Sequence, residues 1–185
     1  CVHMTQVNDQ DITTLIEHNA HVIHCPKSNL KLASGFSPIA ELAKNGINVA
    51  LGTDGAASNN SLDMFSEMST AALVAKAVSN NASAVSAHEA LEMATINGAK
   101  AMGWADHIGS IEIGKSADLI AVELGAIESE PLYNLPSQLV YTPMGHQVSH
   151  VWVKGAALMT NRKLQTLNEH EIVTKAQGWQ KQLAP

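Results

Sequence analysis

The sequence predicts an α/β fold, and three features carry that expectation. Two short apolar runs, Ala20 to His24 and Ile47 to Leu51, alternate with stretches of helical periodicity, the signature of successive βα units. Near Gly109 the pattern changes to short β-rich segments with turn residues between them. The final stretch, about Asn168 to Leu183, places Ile172, Ala176, Trp179 and Leu183 at helical spacing and predicts an amphipathic docking helix.

In chain order, Asp9 to His18 sets Ile12, Leu15 and Ile16 on one helical face. The Ala20 to His24 run is a short strand ended by Pro26, and a Ser/Asn/Gly-rich loop follows from Ser28 to Phe36. Ser37 is placed to cap the next helix, with Pro38 at its first position and Glu41 in its first turn. Asn45-Gly46 ends that helix, and the strand from Ile47 to Leu51 runs directly into the turn Gly52-Thr53-Asp54-Gly55. Two helices are expected next, about Leu62 to Val78 and Ala87 to Met102. The second opens on the capping-box pattern Ser86-Ala87-His88-Glu89 and stops at Gly103. Beyond it come a hairpin-like segment at Ile111 to Lys115 and strands at Asp118 to Glu123, Val148 to Lys154 and Ala156 to Met159. Two βα units cannot close a sheet. A (β/α)8 barrel takes roughly 250 residues and this chain has 185, so it forms either a small open sheet or the last segments of a barrel.

Composition narrows the class. With 45% apolar and 15% charged residues the chain reads as a soluble globular protein. No apolar run approaches the ~20 residues of a membrane span, so no transmembrane helix is expected. A net charge of −6 without any Lys/Arg cluster argues against polymeric DNA or RNA as a partner. The start, Cys1-Val2-His3-Met4, has neither the basic nor the apolar part of a signal peptide and no initiator methionine. The chain is therefore expected to begin inside a longer translation product. Cys1 and Cys25 form no CxxC pair and suit a reducing cytoplasm.

The segment richest in chemistry is Gly52-Thr53-Asp54-Gly55-Ala56-Ala57-Ser58-Asn59-Asn60. An acid just beyond a buried strand projects where catalytic groups collect in barrel enzymes. There it can bind a cation and take a proton from water. On the local pattern alone, Asp54 serves equally well as a helix cap or an organiser of the turn.

These residues resemble the eighth-strand motif of the amidohydrolase superfamily, in particular its 5-methylthioadenosine/S-adenosylhomocysteine deaminase branch. Three further stretches match in the same order. His24-Cys25-Pro26-Lys27-Ser28-Asn29-Leu30-Lys31-Leu32-Ala33-Ser34-Gly35 is similar to the loop after strand seven. Ala94-Thr95-Ile96-Asn97-Gly98-Ala99 is similar to the helix after the barrel, and Gly109 to Ile120 to the return into a small β-sandwich. The resemblance reaches about Val153. It implies the C-terminal strands and helices of a TIM-like (β/α)8 barrel over residues 1–108. Part of a composite β-sandwich follows over 109–160, then a C-terminal segment with the amphipathic helix over 161–185.

It also implies a zinc-dependent, or similarly metal-dependent, hydrolytic deaminase of adenine-type nucleosides that releases ammonia. Asp54 would be the last metal ligand, would contact substrate, and would carry a proton from the attacking water toward the leaving amine. The family's His-x-His pair, its His-x-x-Glu and its sixth-strand histidine are missing here. The remaining ligands are therefore expected upstream of Cys1, and the segment alone is expected to be inactive. His24 is a candidate for the substrate pocket, its alternative being a hydrogen-bonded loop histidine. His3, Asn29 and Ser58 are expected to support the site from behind rather than to touch substrate. The expected partners are a small nucleoside and the upstream segment of the same protein, with homo-oligomerisation left open. Rival readings are another enzyme of the superfamily, such as a triazine chlorohydrolase or guanine deaminase, and a non-catalytic remnant or binding module that has lost the metal.

Overall fold

A computed structural model describes residues 1–183, which divide into two compact units. The first comprises residues 1–115 and 124–146, and the second comprises 116–123 and the chain from Gln147 onward. In the first unit, α1 (Asp9–Glu17) opens on a reciprocal capping box between Asn8 and Asp11. Its Ile12 and Leu15 are buried, but Ile16, expected on the same face, is 46% exposed. β1 (Val22–His24) pairs in parallel with β2 (Val49–Leu51), setting Val22 opposite Val49 and His24 opposite Leu51. The other edge of β1 meets Val2 in a parallel bridge, where the His3 N–H donates to the Ile23 carbonyl at 3.0 Å. Because all three segments run the same way, the residues that follow them gather at one end of the sheet.

Helices cover this short sheet. They are α2 (Pro26–Lys31), α3 (Ile39–Lys44), α4 (Ala56–Asn59), α5 (Met64–Ser79), α6 (Ala87–Ala94), α7 (Ile96–Ala101) and α8 (Leu135–Tyr141). Val22, Ile39, Leu42, Val49, Met68 and Val140 form the centre of one apolar cluster. Burial of such aliphatic side chains stabilises the fold by roughly 1.5–3 kcal/mol each. α7 is fastened to β2 by a reciprocal pair: Asn48 Nδ2 donates to the Asn97 carbonyl and Asn97 Nδ2 to the Val49 carbonyl, both at 3.0 Å. The backbone of Asn48 and Gly52 faces β1, so the Val49 carbonyl points to the opposite edge, and Asn97 satisfies it there. Farther on, Gly109 crosses α7 with φ +91°; a Cβ there would lie 2.7 Å from that of Ala99, so the crossing requires glycine.

Several local expectations are corrected. Pro26 does not open a loop but starts α2, where the first turn leaves its missing N–H without consequence. Ser37 does not cap α3; Pro38 holds the cap position and the Ser37 hydroxyl is buried without a hydrogen-bond partner among the described residues. The single helix expected over Ala87 to Met102 is two, because Thr95 leaves helical geometry (φ −130°, ψ −97°). Its hydroxyl donates back to the Leu91 carbonyl at 2.6 Å. Ile111 to Lys115 forms turns rather than a paired hairpin. α8, which the pattern did not suggest, is capped by Asn134 and carries Pro136 in its first turn.

The second unit is a four-stranded antiparallel sheet in the order β3 (Leu119–Val122), β4 (Val148–Val153), β5 (Ala156–Thr160), β6 (Lys163–Leu164). α9 (Glu169–Leu183) is helical as its spacing predicts. Ile172, Trp179 and Leu183 are exposed, and none of its described residues is buried. No helix of the described residues is long and apolar enough to cross a membrane.

Removing the α7 fastener should be costly out of proportion to its size. Asn97→Ala removes the side-chain donor and leaves the Val49 carbonyl short of a partner, while the Asn48 bond to the backbone carbonyl of residue 97 is kept. It should lower the unfolding free energy by about 1–3 kcal/mol in urea denaturation; an unchanged midpoint would refute the fastening role.

Candidate active site

The turn after β2 builds the site. Gly52 closes against β1, its N–H donating to the His24 carbonyl at 2.9 Å. A Cβ on Gly52 would sit 3.1 Å from Ile23 Cγ2 and 3.3 Å from Cys25 Sγ. Asp54 follows with φ +59°, in the left-handed region that Asp tolerates better than most residues. Three donors hold its carboxylate: Ser28 Oγ at 2.6 Å and Ser58 Oγ at 2.9 Å from Oδ2, and the Gly55 N–H at 2.7 Å from Oδ1. His3 Nε2 stands 3.8 Å from the same Oδ2. The Ser28 hydroxyl, then the Gly55 amide and the Ser58 hydroxyl, hold the Asp54 carboxyl down at a pKa of about 2. Asp54 is thus a fixed anion, with its side chain about a third exposed (35%) at the open end of the sheet.

Of the other residues singled out by sequence, His3, Asn29 and Ser58 are brought together with Asp54. Asn29 is buried in α2, and its Oδ1 lies 2.8 Å from His3 Nδ1. In that arrangement Nδ1 is the donor, which leaves Nε2 toward Asp54. His24 ends β1 but is 3% exposed, and its Nδ1 has no hydrogen-bond partner in the described residues. Burial, aided by the neighbouring His3, lowers its pKa to about 4, so the ring is neutral at physiological pH. Burial also raises the adjacent Cys25 thiol to about 11, which keeps it an inert thiol. A cavity of about 530 Å³ lined by Glu41, Lys44, Ser79 and Glu89 contains none of these groups. The chemistry, not the volume, marks the site.

Three contributors escaped the sequence reading. Ser28 stands in a loop-like composition with nothing to single it out. Asn59 donates from one Nδ2 to the Thr53 carbonyl and to Glu67 Oε1, both at 2.6 Å. Glu67 is a fully buried acid on α5. Its only signal was an acid among Met64, Met68 and Ala71, on a face that otherwise reads as core.

Residues 1–158 match the Amidohydrolase family. The chain belongs to that family. The 5-methylthioadenosine/S-adenosylhomocysteine deaminase of Teredinibacter turnerae is 57% identical over 183 residues, covering 99% of this chain and 41% of that protein. Among solved structures, a zinc-bound adenosine deaminase from Xanthomonas campestris superposes with a TM-score of 0.96 at 49% identity, over 98% of this chain and 41% of the other. A zinc complex of atrazine chlorohydrolase from Arthrobacter aurescens gives 0.89 at 26% identity, over 96% and 39%. The chain therefore spans about two-fifths of the length of the relatives it matches.

A catalytic zinc site takes about three protein ligands. Among the described residues, no three His, Cys, Asp or Glu side chains converge on one point. What this amidohydrolase chain offers is one well-formed position: an anionic oxygen donor, pinned and solvent-accessible. The donor chemistry fits a divalent cation as a contribution to a shared set.

Two titrations test this electrostatic description. In the metal-free protein, Ser28→Ala removes the strongest donor to Asp54, so its midpoint should rise from about 2 toward the ordinary 3.8. Carboxyl 13C NMR reads that value, and an unmoved midpoint would discard the Ser28 contribution. Because the folded value lies below the unfolded one, the associated stability is present above about pH 4 and is lost as pH falls through 2. For His24 the folded value of about 4 lies below 6.5, so stability should decline as pH falls from 6.5 to 4. His24→Gln should flatten that segment of the pH–stability curve; a wild-type slope in the variant would show that His24 is not its source.

Proposed function

We propose that this chain is the C-terminal portion of a metal-dependent aminohydrolase that acts on adenine-type nucleosides such as 5-methylthioadenosine, S-adenosylhomocysteine or adenosine. The observation that carries the proposal is the Asp54 carboxylate, pinned by Ser28, Ser58 and Gly55 at the end of a parallel strand. The high identity to a protein named for deaminating two of these substrates supports the choice of substrate class. Asp54 is one ligand of a zinc or similar divalent ion, and the other ligands come from a segment upstream of Cys1. When bound, the ion supplies Lewis acidity, making water acidic enough to attack near neutral pH.

The chain's own residues position and move the proton. Asp54 takes the proton of the attacking water on its carboxylate and passes it to the departing amine. The purine carbon gains a C–O bond, its C–N bond breaks, and ammonia leaves with an oxo-purine product. Ser58 has a second acceptor, the Gly55 carbonyl at 3.1 Å. Its hydroxyl can turn there and free a lone pair on Asp54 Oδ2 when the proton arrives. His3, held by Asn29, stands beside the carboxylate with Nε2 3.8 Å from Oδ2. His24, neutral and buried, offers a polar edge to the pocket wall beneath the substrate. Two free cysteines suit a cytoplasmic setting for such an enzyme.

The test uses the full-length, zinc-loaded protein and ammonia release from the three nucleosides, guanine and a chlorotriazine. The wild type should favour the adenine nucleosides. Asp54→Asn should keep the fold and lose about 10²–10⁴-fold in turnover, the usual worth of a positioned proton carrier. Wild-type turnover in a folded Asn variant would end the assignment of Asp54. A clear preference for guanine or the triazine would end that of the substrate.

A further inference from the structure

Glu67 is a buried acid that the proposed chemistry does not use. It projects from α5 with no exposed surface, where a carboxylate survives only with hydrogen-bond donors to both oxygens. Its Oε1 accepts from Asn59 Nδ2 at 2.6 Å and its Oε2 accepts from the Lys27 N–H at 3.3 Å. These partners lie on two different short helices, α2 after β1 and α4 after β2. Each is also the immediate sequence neighbour of a serine that donates to Asp54: Lys27 precedes Ser28, and Asn59 follows Ser58. Both serines meet the same atom, Asp54 Oδ2. The second hydrogen of Asn59 Nδ2 ties the Thr53 carbonyl, the residue just before Asp54.

We infer that Glu67 is a positioning residue whose buried carboxylate clamps α2 and α4 together, so that Ser28 and Ser58 converge on one oxygen of Asp54. The inference rests on the reading of Asp54 as metal ligand and proton carrier. A plain core residue would not need an acid here. An apolar side chain of similar size would fill the space but leave the Lys27 N–H and one Asn59 hydrogen without acceptors. A glutamine keeps the shape and can accept from only one of the two donors, because its amide nitrogen then faces the other. The clamp is therefore separable from packing by a substitution that removes a single acceptor.

The experiment uses the full-length zinc enzyme and compares Glu67→Gln with Met68→Ala and Asp54→Asn. Met68 neighbours Glu67 on α5, is buried, and belongs to the apolar core. Its truncation supplies a destabilised control without removing a hydrogen bond of the clamp. Below the melting temperatures of all variants, Glu67→Gln should lower kcat about tenfold or more with KM within about twofold. It should also weaken zinc binding by chelator competition about tenfold, the range expected when a support behind a ligand is lost. Met68→Ala should lower the melting temperature and leave both quantities near wild type. If Glu67→Gln does not fold, Asn59→Ser cuts the same link from the α4 side and is held to the same two criteria. Wild-type kcat and zinc affinity in the folded Glu67 or Asn59 variant would overturn the clamp while leaving Asp54 intact. Equal losses in Met68→Ala would overturn it as well. Absence of zinc-dependent turnover in the wild type would overturn the functional reading, and the clamp's role with it.

Discussion

The parallel pairing of Val22–His24 with Val49–Leu51 is the constraint on which the first unit depends. Parallel strands send their C-terminal ends the same way, so two loops far apart in sequence start side by side. Register then decides which residues meet. With His24 opposite Leu51 and Gly52 bonded to the His24 carbonyl, Ser28 reaches Asp54 across 26 residues of chain. A slip of one residue would turn every strand side chain to the opposite face. The buried apolar faces of Val22, Val49 and Leu51 hold the register.

Two carboxylates in this region illustrate how environment divides labour. Asp54 is exposed enough to stay hydrated and receives three donors, and those donors hold its pKa low. Glu67 is buried; desolvation pushes its pKa up, while Asn59 and Lys27 pull it back down. The first is suited to meeting a ligand and the second to holding protein groups in place. Neither property belongs to the residue type. Each follows from the number of donors and the amount of water that the fold provides.

The family assignment and the architecture agree on what kind of piece this is. A two-stranded parallel sheet with one extra bridge, covered by helices, is an incomplete circuit by the standard of a closed barrel. The relatives that match nearly all of this chain extend well beyond it. On the edge of β2 away from β1, the Asn97 side-chain amide donates to the Val49 carbonyl. The exposed apolar residues of α9 belong to the second unit.

Local chemistry was legible wherever a residue's role is written into its neighbours. The Gly-Thr-Asp-Gly turn behind an apolar run marked Asp54, the Ser86–Glu89 capping box marked the start of α6, and alternation of apolar runs with helical stretches marked the α/β class. His3, Asn29 and Ser58 were expected near Asp54 through family likeness, and they stand around it. Other features were decided by tertiary contact. Pro26 became a helix start rather than a breaker, and Thr95 split one helical pattern in two. The hydrogen bonds of Ser28 and Glu67 form only when strand pairing brings α2 and α4 side by side. The physical reason is range. Caps, turns and periodicity depend on residues within a turn or two of one another and so are written in the sequence. Hydrogen bonds across 26 or 40 residues of chain exist only once the sheet has fixed which ends are neighbours.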